Sequence, residues 1–292
     1  MTALLDATMT GLAQGCMLAL VALGYSLVFG VLRLINFAHG EVFMVGAYTA
    51  LSTTTALAGV LPPLWALGVG LVVAMAGAAA LGVALERFAY RPLRAKAGDS
   101  AVARRAPLVT ALAASVLLQN AAQLVFSARY RPFPAVVEAP RPLIMAVTVA
   151  VAVALEVGLR RTYFGLALRA VAFDPDAARL VGVPVHKVVA ATFGLGSALA
   201  ALGAVLYCLD QSQVYPTLGV GVGMRAFVAA VVGGIGSIPG AFLGGLLLGL
   251  LGELLKLTSY SGGLDAVVFL VLIATLVGRP EGLLGRREPL KV

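Results

Sequence analysis

The sequence is short of charge. Only 12% of its 292 residues are Asp, Glu, Lys or Arg, and residues 7–32 and 42–85 carry none at all. A soluble domain of this length needs a charged surface, and a chain with 61% hydrophobic residues and a mean hydropathy of +1.00 does not supply one. Cysteine is scarce as well. Cys16 and Cys208 lie inside apolar runs at no ligand spacing and read as small packing residues. The two histidines, His39 and His186, are far apart, and no His-Glu-x-x-His or Ser/His/Asp pattern accompanies them. Neither a metal centre, which usually wants three or four ligands, nor an intramembrane enzyme finds support. No Lys or Arg precedes Arg33, so the first run lacks the basic head of a cleaved signal.

What remains is apolar length. The ~30 Å hydrocarbon core of a bilayer takes ~20 helical residues at ~1.5 Å each. Residues 8–32, 42–58, 65–85, 107–127, 143–159, 188–209 and 263–278 read as spans. Residues 224–257 form one apolar stretch, too long for one span and interrupted by Gly233-Gly234-Ile235-Gly236-Ser237-Ile238-Pro239-Gly240. It reads as a half-helix at 224–235, a break, and a span at 240–257. The predicted fold is an all-α membrane protein, a polytopic bundle of about 8–9 transmembrane segments including this Gly-broken half-helix. It forms one domain over residues 1–292.

Basic residues set the orientation. Residues 86–106 hold Arg87, Arg91, Arg94, Lys96, Arg104 and Arg105 against Glu86 and Asp99, and further basic residues fill 160–187 and the tail with Arg286, Arg287 and Lys291. The positive-inside rule makes these cytosolic. Counting spans back puts the N-terminus outside and the C-terminus inside. It also puts the proline-rich loop 128–142 outside, despite Arg129, Arg131 and Arg141. An even number of crossings between 160–187 and the tail requires the 224–257 stretch to cross twice. The net charge of +8 is therefore a topology signal beside membrane lipid, and no nucleic-acid partner is expected.

Three stretches stand out. Arg33, Asn36, His39 and Glu41 follow one another between two charge-free runs. Charge beside a span is costly and marks a pathway or contact, but a short solvated loop is the other reading. Residues 233–240 break an apolar stretch in the second half of the chain, as 30–46 does in the first. Such paired breaks point to a transport site, with a cavity-lining or gate role for Gly233, Gly234, Gly236 and Gly240. Gly240-x-x-x-Gly244 and Gly245-x-x-x-Gly249 fit helix packing instead. The glycines do not make a phosphate loop, since no strand precedes them and no Gly-Lys-Ser/Thr follows. No energy source is evident in the chain. Third, Asp174-Pro175-Asp176 signals the start of a short helix at about 174–182, stopped by Gly182 and Pro184. It is either an amphipathic surface helix or a docking knob for a cytosolic partner, with Ala177, Ala178 and Leu180 available for packing.

The motifs resemble those of a known family. Gly24-Tyr25-Ser26-Leu27-Val28-Phe29-Gly30 followed by Leu34-Ile35-Asn36-Phe37-Ala38-His39-Gly40-Glu41 is similar to the first signature of LivH-type permeases, the membrane subunits of branched-chain amino acid ABC importers. Ala226-Phe227-Val228-Ala229-Ala230 through Gly233-Gly234-Ile235-Gly236-Ser237-Ile238-Pro239-Gly240 is similar to the second. Arg169, Asp174, Asp176, Ala177, Arg179 and Gly182 match the family's cytosolic loop that contacts the ATPase, although Phe173 stands where that loop commonly has an acidic residue. The resemblance implies a permease without catalytic residues or a cofactor of its own, in the bacterial inner membrane. It implies a second related permease, two ABC ATPases that hold ATP-Mg, and a periplasmic solute-binding protein. Asn36, His39 and Glu41 would line the pathway or its inner gate, with residues 233–240 as the flexible element opposite. The solute would be a branched-chain amino acid or a related urea, amide or carboxylate. A self-contained channel or secondary transporter is the rival reading, and it has no need of a capped helix at 174–182.

Overall fold

A computed structural model describes residues 2–96, 101–134, 141–258 and 261–285. The tail arginines, Lys291, Asp99 and Pro140 therefore lie outside the described residues. The described chain is helical almost throughout. α1 (Thr2–Leu32) and α2 (His39–Leu57) flank the first break, and α3 (Pro63–Ala84) starts behind Pro62-Pro63. α4 (Arg91–Lys96) and α5 (Ala101–Phe126) follow, then α6 (Arg141–Arg161), α7 (Tyr163–Phe173) and α8 (Pro175–Leu180). α9 (Val185–Gln211), α10 (Leu218–Gly233), α11 (Ile238–Lys256) and α12 (Leu264–Gly278) complete the bundle. Six of these stretches are long and apolar enough to cross a membrane: Ala3–Leu32, Pro63–Leu93, Ala106–Phe126, Arg141–Arg161, Val185–Gln211 and Ile238–Lys256.

α1 and α9 form the centre, buried along most of their length, whereas α5 and α6 keep most of their surface outside the packed core. Small residues set the central contacts. On α1, Gly11, Gly15 and Ala19 meet Leu250, Leu246 and Gly245 of α11 in antiparallel register. Gly24 and Gly196 bring α1 against α9, and Gly46 seats α2 on Ala201. The two small-residue motifs of α11 face different neighbours: Gly240 and Gly244 pack on the α10 backbone, Gly245 and Gly249 on α1. Between helices already surrounded by apolar material, such close backbone approach supplies the dispersion contact that burial cannot.

Three sequence readings are revised. Residues 86–96 and 101–106 are helix rather than loop: the α3 helix continues through a π-helical turn, Leu85–Tyr90, into α4, and α5 begins at Ala101. Pro92 has no N–H to give and its ring would strike the carbonyl four residues back. The chain answers by widening, with Arg91 N–H donating to the Glu86 carbonyl five residues earlier. Second, the half-helix expected at 224–235 starts at Leu218, because Gly219, Gly221 and Gly223 stay within the helix. Third, the 160–187 segment holds two helices where one was expected. The unforeseen α7 is capped by Thr162, whose Oγ1 accepts from Gly165 N–H at 3.3 Å, and the Arg169 guanidinium donates to the Leu159 carbonyl at the end of α6.

The ends of the bundle are tied by contacts distant in sequence. Arg131-Pro132 pairs antiparallel with Gln213-Val214 at one end. At the other end the chain after α12 turns back on α10, whose last carbonyls would otherwise lack donors. Leu283 N–H donates to Val232 at 2.9 Å and Leu284 N–H to Gly233 at 2.8 Å.

Candidate functional site

The first break is short. α1 ends at Leu32, Arg33 takes a positive φ of 54°, and α2 begins at His39, whose N–H donates to the Asn36 carbonyl at 3.0 Å. His39 and Glu41 therefore belong to the first turn of α2 and not to a loop. A carboxylate there is favoured by the positive end of the helix dipole. Asn36, His39 and Glu41 are all buried, which excludes the solvated-loop reading for these three side chains.

Each buried side chain has its own neighbours. Asn36 Oδ1 accepts a hydrogen bond of 2.6 Å from the hydroxyl of Tyr90, the last residue of the π turn. The His39 ring packs edge-on against Tyr25, 4.7 Å between centroids, above the bare backbone of Gly24. Glu41 Oε1 accepts from Ser115 Oγ of α5 at 3.3 Å. Glu41 Oε2 and His39 Nε2 have no hydrogen-bond partner among the described residues. Gly40 makes this arrangement possible. It lies on the backbone of Gly219 and Gly223 of α10 so closely that no side chain fits there.

The second break is built of glycines in conformations that other residues avoid. Gly234 has φ 112° and Gly236 has φ 88°. Ser237 then caps α11, its Oγ accepting from Gly240 N–H at 3.2 Å. Gly236 N–H donates to Ser26 Oγ at 3.3 Å, and Gly236 lies beside Gly30. The two breaks thus meet through Gly30 and Gly236. Among the described residues, 233–240 touches Ser26, Gly30 and the chain after α12. α10 reaches the surroundings of Asn36, His39 and Glu41 with its other parts: Gly219 and Gly223 at Gly40, and Phe227 against Tyr25 and Phe37 at 5.9 Å each.

α8 follows its sequence signals closely. Asp174 accepts from Asp176 N–H at 2.9 Å and Ala177 N–H at 3.0 Å, Pro175 opens the helix, and Arg179 pairs with Asp176 at 2.7 Å. Gly182, at φ 85°, ends it with an N–H to the Arg179 carbonyl. Ala178 is buried, but Ala177 is exposed and Leu180 and Val181 stand 90% and 78% exposed. An apolar cluster lies beneath, in which Ala178 and Val171 pack with Val28 and Val31 of α1, Phe193 of α9 and Tyr90. The residue that holds Asn36 is thus part of the cluster that seats α8.

Several residues here escaped the sequence reading. Ser115 and Tyr90 carry no motif. Arg225, Glu253 and Lys256 lie inside the 224–257 stretch read as apolar, where charge within an otherwise apolar helix is the signal that would have singled them out. Among the described residues no three His, Cys, Asp or Glu side chains come together as metal ligands.

Long apolar helices around a buried polar constellation define an integral membrane protein. Its family follows from comparison with known proteins. The family described as branched-chain amino acid transport system / permease component matches residues 7–277, and the chain belongs to it. The high-affinity branched-chain amino acid transport system permease protein BraD of Pseudomonas aeruginosa is 38% identical over 310 residues, covering 99% of this chain and 98% of BraD. The corresponding LivH of Escherichia coli K12 is 37% identical over 300 residues, with 97% and 96% covered. The ribose import permease protein RbsC of Escherichia coli K12 is 32% identical over 127 residues only, 41% of this chain and 40% of RbsC. No solved structure matches the chain.

Proposed function

We propose that the chain is the transmembrane permease subunit of an ATP-binding-cassette importer, moving a branched-chain amino acid or a closely related small solute across the bacterial inner membrane. Near-full-length identity of 37–38% to BraD and LivH carries this reading. The partners are a second related permease, two ABC ATPases and a periplasmic solute-binding protein. ATP-Mg is held by the ATPases.

Nine crossings fit the parity argument, with α10 and α11 as an antiparallel pair; the sixteen residues of α10 reach about 24 Å. The breaks, α8 and the π turn then lie on the cytosolic side, and the Arg131–Val214 pairing outside. α8 is the ATPase-docking element, with Asp176 and Arg179 flanking an apolar knob of Leu180 and Val181. The apolar cluster under α8 passes its displacement to Tyr90 and hence to Asn36. That displacement biases the bundle between outward- and inward-open states, which requires the ATPases to bind α8 differently in the two. Asn36, His39 and Glu41 are the pathway or gate residues, and Gly233, Gly234, Gly236 and Gly240 form the hinge beside Gly30. The deciding experiment is purification from the native membrane in mild detergent, followed by reconstitution. Co-purification of ATPases and a second permease, with ATP-dependent leucine uptake, is the expected result. Solute flux by this chain alone without ATP would overturn it.

A further inference from the structure

α5 is a span with two unlike sides. Val109, Leu112, Val116, Leu117, Leu124 and Val125 stand well exposed on one. On the other, which turns towards α2, Ala111 and Ala122 are buried and Ser115, Gln119 and Gln123 are half-buried. Residues four apart share a side of a helix, so these three polar groups form a stripe roughly 12 Å long. α2 is the main neighbour of α5, whose remaining contacts go chiefly to the π turn and α4.

α5 is tied to α2 at either end of the stripe. Ser115 Oγ donates to Glu41 Oε1 at 3.3 Å, and Phe126 stacks on Tyr48 with 4.1 Å between centroids. Between these ties the amides of Gln119 and Gln123 make no hydrogen bond among the described residues. Glu41 Oε2 and the Tyr48 hydroxyl, both buried, have no partner among them either. Asn120 is the internal comparison. It lies among the apolar residues Val109, Leu112, Val116 and Leu117, and its amide donates to the Val116 carbonyl one turn back at 2.7 Å. An amide on the apolar side thus satisfies itself on its own helix, because an open donor is costly at membrane depth. Gln119 and Gln123 carry the same group on the other side and leave it open. Packing on α2 alone would favour small apolar residues at these positions, as Ala111 and Ala122 show. Polar side chains within a span face the bundle interior or water. A glutamine amide offers two donors and an acceptor, and neutral groups in series can bind a polar solute without holding it.

We propose that Ser115, Gln119 and Gln123 line a water-filled track between α2 and α5, along which a small polar solute moves between Tyr48 and Glu41. The inward direction and the dependence on ATP rest on the importer reading above; the track rests on the facing sides of α2 and α5. The test is labelling of single introduced cysteines in the native membrane with a small cationic methanethiosulfonate, which reacts with thiols that meet water. Cys16 and Cys208 are buried and leave a low background. Ser115→Cys, Gln119→Cys and Gln123→Cys should react. Leu117→Cys and Leu124→Cys should not, although these positions are 70% and 87% exposed in the chain by itself, since their side meets lipid or apolar protein. A stripe that stays unlabelled would overturn the proposal and make the glutamines dry contacts, and so would equal labelling on both sides of α5. Function gives the second readout. Gln119→Leu keeps the bulk and removes the amide, and should slow uptake several-fold with recovery of the chain and its partners unchanged, whereas Gln119→Asn should retain most of the uptake. Undiminished uptake by Gln119→Leu, or a loss explained by poor recovery, would overturn the track in favour of packing. If the stripe labels as expected but wild-type uptake needs no ATP, the importer reading fails and the track stands. ATP-dependent uptake beside an unlabelled stripe counts against the track alone.

Discussion

At the scale of single residues, the site is made by side chains that are absent as much as by those present. A Cβ on Gly40 would enter the Gly219 carbonyl, and one on Gly59 would meet nothing within 4 Å. Gly40→Ala must therefore push α2 off α10, and Gly59→Ala need not move anything. Thermal unfolding in detergent should show a clear loss for the first and little change for the second; equal behaviour would mean that the α2–α10 contact is not tight. The Tyr90 hydroxyl makes a different argument. It is the donor to the buried Asn36 Oδ1, and removing it leaves that oxygen unsatisfied at a cost of about 1–3 kcal/mol. Tyr90→Phe should lower stability by that order and slow uptake. A Phe variant as stable and active as the wild type would show that Asn36 finds another donor at no cost.

At the scale of elements, α8 separates what makes a helix from what makes a docking surface. Asp174 is the cap, and Asp174→Ala should cost about 1 kcal/mol of local helix stability, as lost N-caps do. Charge reversal at Asp174 would therefore mix unfolding of α8 with loss of a contact. Leu180 is 90% exposed and Asp176 only pairs with Arg179 across one turn, so neither holds the fold. Leu180→Glu combined with Asp176→Lys should leave expression and detergent stability intact and reduce co-purification of the ATPases several-fold. Undiminished recovery of ATPases would remove the docking role from α8. The π turn belongs to this scale as well. It turns Tyr90 toward Asn36, and its cause is Pro92, two residues further along the chain.

At the scale of the whole molecule, the irregular backbone among the described residues gathers at the two ends of the bundle. The topology that follows is testable by labelling introduced cysteines with a membrane-impermeant thiol reagent. Val60→Cys and Tyr130→Cys should label in intact cells, and Leu180→Cys only after the inner membrane is opened; all three residues are well exposed. Cys16 and Cys208 are buried and should contribute little background. Labelling of positions 60 and 180 from one side would break the nine-crossing arrangement.

What the sequence determined by itself is what depends on neighbours in the chain. Apolar run length sets which segments are long enough to cross a bilayer, and Asp174-Pro175-Asp176 with Gly182 writes both ends of α8 within a few residues. The glycines at 234 and 236 announce a break because both take a positive φ there that other residues avoid. Tertiary structure alone decided which residues meet. Asn36 finds Tyr90 54 positions away, Arg225 finds Asp265 40 positions away, and the last carbonyls of α10 find Leu283 and Leu284. The reason is physical. A helix that is apolar all round has no stripe to mark its inner face, so its rotation and register are set by close fits such as Gly40 on Gly219 and Gly15 on Leu246. Those fits exist only once the helices are assembled, and they, rather than any local pattern, decide which buried polar atoms come together.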